Sequence, residues 1–119
     1  MRDEISSEEL LMWKKARDLV KEVYCQALEV ENYSFNEHIR RAALAVLCNI
    51  AEGYGSGSQN GFRAFLFEAK THCSEVKNML LLARFNDYMK DGAAEKLMRE
   101  CDGMMKRLER VMGQEEKGN

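Results

Sequence analysis

The chain has 119 residues, 45% hydrophobic and 32% charged, with no proline. That length builds one hydrophobic core and excludes two, and the lack of proline favours long helices over a sheet-rich fold. A formal net charge of -2 excludes a global basic field, so any nucleic-acid contact needs a local patch.

The acidic opening Met1 to Glu9 carries no signal-peptide run, and no stretch approaches the roughly 20 apolar residues that span a bilayer. A cytoplasmic protein without membrane contact is expected. Cys25, Cys48, Cys73 and Cys101 are far apart and form no CxxC pair, which fits neither a zinc site nor a disulfide framework. They read as four buried, reduced thiols, and no metal or other cofactor is expected.

Helix one spans about residues 7–29. Trp13, Ala16, Val20, Val23 and Ala27 repeat at the three-and-four spacing of one helix face, and Ser6 with Glu9 forms a capping box. Helix two spans about 35–53, where Ser34 with Glu37 predicts a second capping box and Ile39, Ala42, Ala43, Val46, Leu47 and Ile50 supply the apolar face. A glycine and serine segment from Gly53 to Ser58 then turns the chain. Helix three spans about 59–87, with Phe62, Leu66, Ala69, Cys73, Val76, Leu80 and Ala83 along one seam. Helix four spans about 92–112 through Ala94, Leu97, Cys101, Met104, Leu108 and Val111, and residues 113–119 read as a frayed tail. The fold expected for residues 1–119 is a single all-α domain, an antiparallel up-and-down four-helix bundle.

Two segments carry more apolar surface than one bundle can cover: AALAVLCNIA at Ala42–Ala51, and Met79–Ala83. A helix apolar on all sides must be covered on all sides, which points to burial against further subunits.

Catalytic and phosphate-binding patterns fail. The loop Gly53–Gly61 follows no strand and lacks GK[ST], with Asn60 where GxGxxG spacing needs glycine. Glu68 and His72 occur once and four apart, unlike the Glu-x-x-His pairs of di-iron bundles. His38 and His72 have no evident nucleophile partner. No enzyme and no small-molecule substrate are expected.

Arg63, Lys70, Lys77 and Arg84 stand seven residues apart. Each step drifts by about 20° on an α-helix, so the four make one stripe about 30 Å long. Such a stripe can track phosphates of RNA or DNA, or pair with glutamates of another helix or subunit. A second set on helix four, Lys96, Arg99, Lys106, Arg107 and Arg110, is diluted by Glu95, Glu100, Asp102 and Glu109 and carries less weight. Asn49 and Glu52 share a helix face, preceded by Arg40-Arg41. They read either as a polar network fixing helix registry or as a partner contact.

The run Ile39-Arg40-Arg41-Ala42-Ala43, continued through Asn49-Ile50-Ala51-Glu52-Gly53-Tyr54 to Phe62-Arg63-Ala64-Phe65-Leu66, resembles the four-helix bundle proteins encoded within bacterial 23S rRNA intervening sequences. Trp13-Lys14-Lys15-Ala16-Arg17-Asp18-Leu19 resembles that family's W-x-x-A-x-x-L opening, so the similarity covers about residues 10–110. A more distant similarity is to the accessory protein of diversity-generating retroelements, which binds nucleic acid and a reverse transcriptase. The resemblance implies a ring-shaped homopentamer, with Trp13, Arg40, Arg41, Asn49, Glu52, Gly53 and Phe62 as scaffold or interface residues. Two departures stand out: Ala45-Val46-Leu47-Cys48 replaces the family's Ser-x-Pro-Ser, and Ala69-Lys70-Thr71-His72 replaces Ala-x-Gly-Ser. The second removes a glycine and with it a close helix approach. The functional expectation is a non-enzymatic homo-oligomer contacting RNA, ribosomal RNA included, or DNA; the alternative is a protein-binding scaffold.

Overall fold

The computed structural model describes residues 5–117, with side chains to Gly113. Four α-helices follow one another: α1 (Ser7–Leu28), α2 (Tyr33–Gly55), α3 (Gln59–Phe85) and α4 (Asp91–Lys117). Among the described residues α1 and α3 each meet α2 and α4 but not each other. They therefore lie on one diagonal of an antiparallel bundle, with α2 and α4 on the other.

The core is the set of apolar stripes read from the sequence. Ala16, Val23, Ile39, Ile50, Phe62, Leu66, Leu80, Leu97 and Leu108 are essentially inaccessible, and all belong to one cluster. Trp13 packs against that cluster from a half-buried position.

Local signals explain most helix ends. Ser6 Oγ accepts from the Glu9 amide at 3.1 Å, and the Glu9 carboxylate accepts from the Ser6 amide at 2.9 Å, which completes the expected capping box. The box predicted at Ser34 does not form. Asn32 caps α2 instead, accepting from the Phe35 amide at 3.0 Å, and Ser34 lies within the helix. Asparagine is among the strongest N-caps, and Glu37 is held elsewhere, by the Tyr33 hydroxyl and by Arg41.

Helix α2 runs two residues past its expected end, and the turn to α3 is only Ser56-Gly57-Ser58. Gly57 takes a left-handed φ of 75° there, a conformation that costs glycine little. Ser58 caps α3 through the Gly61 amide at 3.0 Å. After α3, Asp87 adopts φ 56°, and the Tyr88 amide reaches back to the Ala83 carbonyl at 2.8 Å. This bond satisfies an orphan carbonyl of the helix end. The tail expected to fray from residue 113 continues α4 to Lys117, in keeping with the good helix propensities of glutamine, glutamate and lysine. Residues 118–119 lie outside the described residues.

The thiols divide into two kinds. Cys73 and Cys101 are fully buried, whereas Cys25 and Cys48 are exposed, contrary to the expectation of four buried cysteines. Both exposed cysteines lie off the apolar stripe of their helix. Cys73 donates to the Cys101 carbonyl at 3.5 Å, and the hydrogen bond with Cys73, then burial, drives the Cys101 thiol far above its ordinary pKa.

Candidate interaction surfaces

The four stripe cations lie along the edge of α3 that faces α4. Lys70 pairs with Glu109 at 3.3 Å, Lys77 with Asp102 at 2.7 Å and Arg84 with Glu95 at 3.5 Å. Glu95, Asp102 and Glu109 are themselves seven apart. An antiparallel neighbour with the same repeat meets the stripe rung by rung, because seven residues forward on α4 match seven back on α3. Arg63 is half-buried at the start of the same edge.

The three rungs keep roughly a third to a half of their side-chain surface in water, so each contributes only about 0–1 kcal/mol. Their larger effect is on register, since sliding α4 by one heptad breaks rungs as well as core contacts. We expect Lys77→Glu to cost about 1 kcal/mol and Lys77→Glu with Asp102→Lys to recover most of it. Urea midpoints of the two single variants and the swap check this; strict additivity would mean the rung contributes nothing.

The residues shared with the family motif take distinct positions. Arg40 donates from Nε to Asn36 Oδ1 at 2.6 Å and lies over the Tyr24 ring, 5.8 Å from its centroid. The buried Asn36 in turn donates to the Val30 carbonyl at 3.2 Å, so Arg40 ties α2 to α1 and to the turn between them. Among the described residues Arg41 pairs with Glu37, one turn back at the surface. Asn49 donates to the Ala45 carbonyl of its own helix at 2.8 Å, and Glu52 is exposed. Gly53 is buried where α2 nearly touches α3: a Cβ there would lie 3.2 Å from the Phe62 ring and 3.4 Å from Phe65 Cβ. Phe62 is inaccessible and stacks at a tilt on Tyr54, centroids 5.2 Å apart. The close approach of α2 and α3 therefore sits at Gly53, not at the position where Thr71 replaces the family's glycine.

A cluster not read from the sequence bridges α2 and α3. Glu75 is held by His38 Nε2 at 3.0 Å and by His72 Nδ1 at 3.2 Å. Burial raises the Glu75 pKa, but the hydrogen bonds and charge of the two histidines outweigh it and hold the carboxyl below its ordinary value. The three-residue spacing of His72 and Glu75 is visible in the sequence; the arrival of His38 depends on the α2–α3 register.

The outer face of α3, turned away from α1, bears no charge over about 27 Å. Phe67, Leu82 and Phe85 are 59%, 52% and 78% exposed there, interleaved with Thr71, Ser74 and Asn78. Phe67, Met79 and Leu82 border a shallow depression of about 540 Å³ that reaches His38, Lys70 and Glu75. On α2, Leu44, Cys48 and Ala51 form a second uncharged patch. The apolar surplus of both segments thus does reach the surface. No described helix is long and apolar enough to cross a membrane, and among the described residues no three His, Cys, Asp or Glu side chains cluster as metal ligands would.

No functionally curated protein matches the chain. A solved structure with a closely similar fold is that of a protein of unknown function from the S23 ribosomal protein family of Bacteroides thetaiotaomicron, with TM-score 0.83 and 16% identity over 89% of this chain and 98% of that one. Residues 8–110 match the model of the 23S rRNA-intervening sequence proteins, and the chain belongs to that family.

Proposed function

We propose that this protein is a non-catalytic, self-assembling bundle that associates with RNA, ribosomal RNA first. The observation that carries the assembly is the uncharged outer face of α3. A monomer gains nothing by leaving Phe67, Leu82 and Phe85 in water, whereas burying such side chains contributes roughly 25 cal/mol per Å².

The α2 patch at Leu44, Cys48 and Ala51 differs in sequence from the α3 strip. Pairing two unlike patches is a heterologous contact, which closes a ring when the rotation permits. This supports a ring, and the family resemblance supports five subunits. Family membership supports the RNA association. Light scattering at micromolar concentration tests the assembly: a mass near the 13.7 kDa monomer overturns it, and a mass near five times that value supports the pentamer.

A second reading, a scaffold for other proteins without nucleic acid, is favoured by the neutralised α3 stripe. With Lys70, Lys77 and Arg84 already engaged by α4, that stripe has little charge left for phosphates.

A further inference from the structure

Glu95, Asp102 and Glu109 turn toward α3, so they no longer dilute the cations of α4. Lys96, Arg99, Lys106, Arg107 and Arg110 fall in one arc about 100° wide, adjoining those three carboxylates on the helix surface. Lys96, Arg99 and Lys106 have no carboxylate in salt-bridge range among the described residues. Arg107 and Arg110 both reach the same oxygen, Glu8 Oε1, at 3.2 Å each, so that trio keeps a net positive charge.

Beside this arc a groove of about 600 Å³ separates α4 from α1. Lys15 and Lys21 line it from α1, facing Lys96 and Arg107. Asp18, Glu22 and Glu100 also line it, so the lining side chains keep one net positive charge. The wall of the groove includes Gly103, with nothing within 4 Å of where a Cβ would stand. A mid-helix glycine costs about 1 kcal/mol relative to alanine, and here it leaves room for a backbone to come close. The groove also lies away from the α3 strip, since α1 is diagonal to α3, so assembly through α3 leaves it accessible.

We infer that the α1–α4 groove, rather than the α3 stripe, receives the phosphate backbone of RNA. The inference rests on the RNA-associated reading above and assigns its site. Phosphates displace condensed counterions as they meet the cations, so affinity falls with salt and carries little sequence preference.

The test compares Lys96→Gln with Arg107→Gln, two α4 residues that line the groove, against Lys70→Gln with Lys77→Gln in the full-length assembly. Each pair removes two positive charges, so the loss of long-range field is the same and a difference reports position. Binding of a fluorescent single-stranded RNA of about 20 nucleotides is read by anisotropy from about 50 to 200 mM salt. The α4 pair is expected to weaken binding about tenfold and to flatten the log–log salt slope by about 0.7 for each phosphate left without its cation; the α3 pair should stay within about threefold of wild type. Gly103→Glu places a carboxylate in the groove with a better helix former, and should weaken binding with stability equal or higher. If the α3 pair loses as much as or more than the α4 pair, or Gly103→Glu binds normally, the groove is wrong and the RNA reading stands. If wild type binds no RNA at the lowest salt, the RNA reading fails and the groove with it.

Discussion

Phe62→Ala is expected to destabilise the bundle by about 3–5 kcal/mol, the range for deleting a fully buried aromatic ring. The ring is inaccessible, rests on Tyr54, and meets α2 at Gly53, where the lack of a Cβ lets the two helices approach. Its removal opens a cavity at the junction of α2, the three-residue turn and α3, where short links restrict collapse. A domain of this size has about 5–15 kcal/mol in total, so the loss is a large share. Urea denaturation followed by circular dichroism measures it, and a cost below about 1.5 kcal/mol would mean the junction relaxes around the gap. Gly53 should be coupled to the same ring: Gly53→Ala, tight at 3.2 Å in the native chain, should cost less in the Phe62→Ala background because the clashing atom is gone.

Helix number, order and core face were legible because a four-helix bundle repeats one physical rule, burial of apolar residues at a period of about 3.6, along its whole length. Phe62, Leu66, Ala69, Cys73, Val76, Leu80 and Ala83 are all buried as their spacing required. Boundaries followed less well because capping is a competition between neighbours: Ser34 and Glu37 satisfy the pattern of a box, yet Asn32 begins the helix earlier and Arg41 engages Glu37.

Charge was legible only as a succession of residues along each helix. The stripe at Arg63, Lys70, Lys77 and Arg84 could be placed on one face of α3, but whether it meets water or carboxylates depends on the neighbouring helix. The matching heptad of Glu95, Asp102 and Glu109 was present in the sequence as dilution of another basic set. Its meaning changes once α4 runs antiparallel to α3: the same three residues neutralise one stripe and expose another. Cys25 and Cys48 show the same limit from the apolar side, since a thiol is small enough to occupy an exposed helix position at little cost.

Phe67→Asp combined with Leu82→Asp is expected to split the assembly into folded monomers. In a single bundle both side chains are more than half exposed, so the substitutions should change the unfolding free energy of one subunit by only about 0.5 kcal/mol each. In an assembly joined through the α3 strip, the same positions are buried against a neighbour. Each contact would then hold two carboxylates against apolar surface, with Lys70, the cation that borders the strip, already engaged by Glu109, a desolvation cost of several kcal/mol per ion. The two readouts move apart for this reason. Light scattering should show the mass falling toward 13.7 kDa while the helical circular dichroism signal is retained. Loss of helix along with mass would place Phe67 and Leu82 in the support of the monomer, contrary to their exposure. An unchanged oligomeric mass with intact helices would move the subunit contact off α3, and the equivalent substitution at Leu44 would then ask whether α2 alone holds the subunits together.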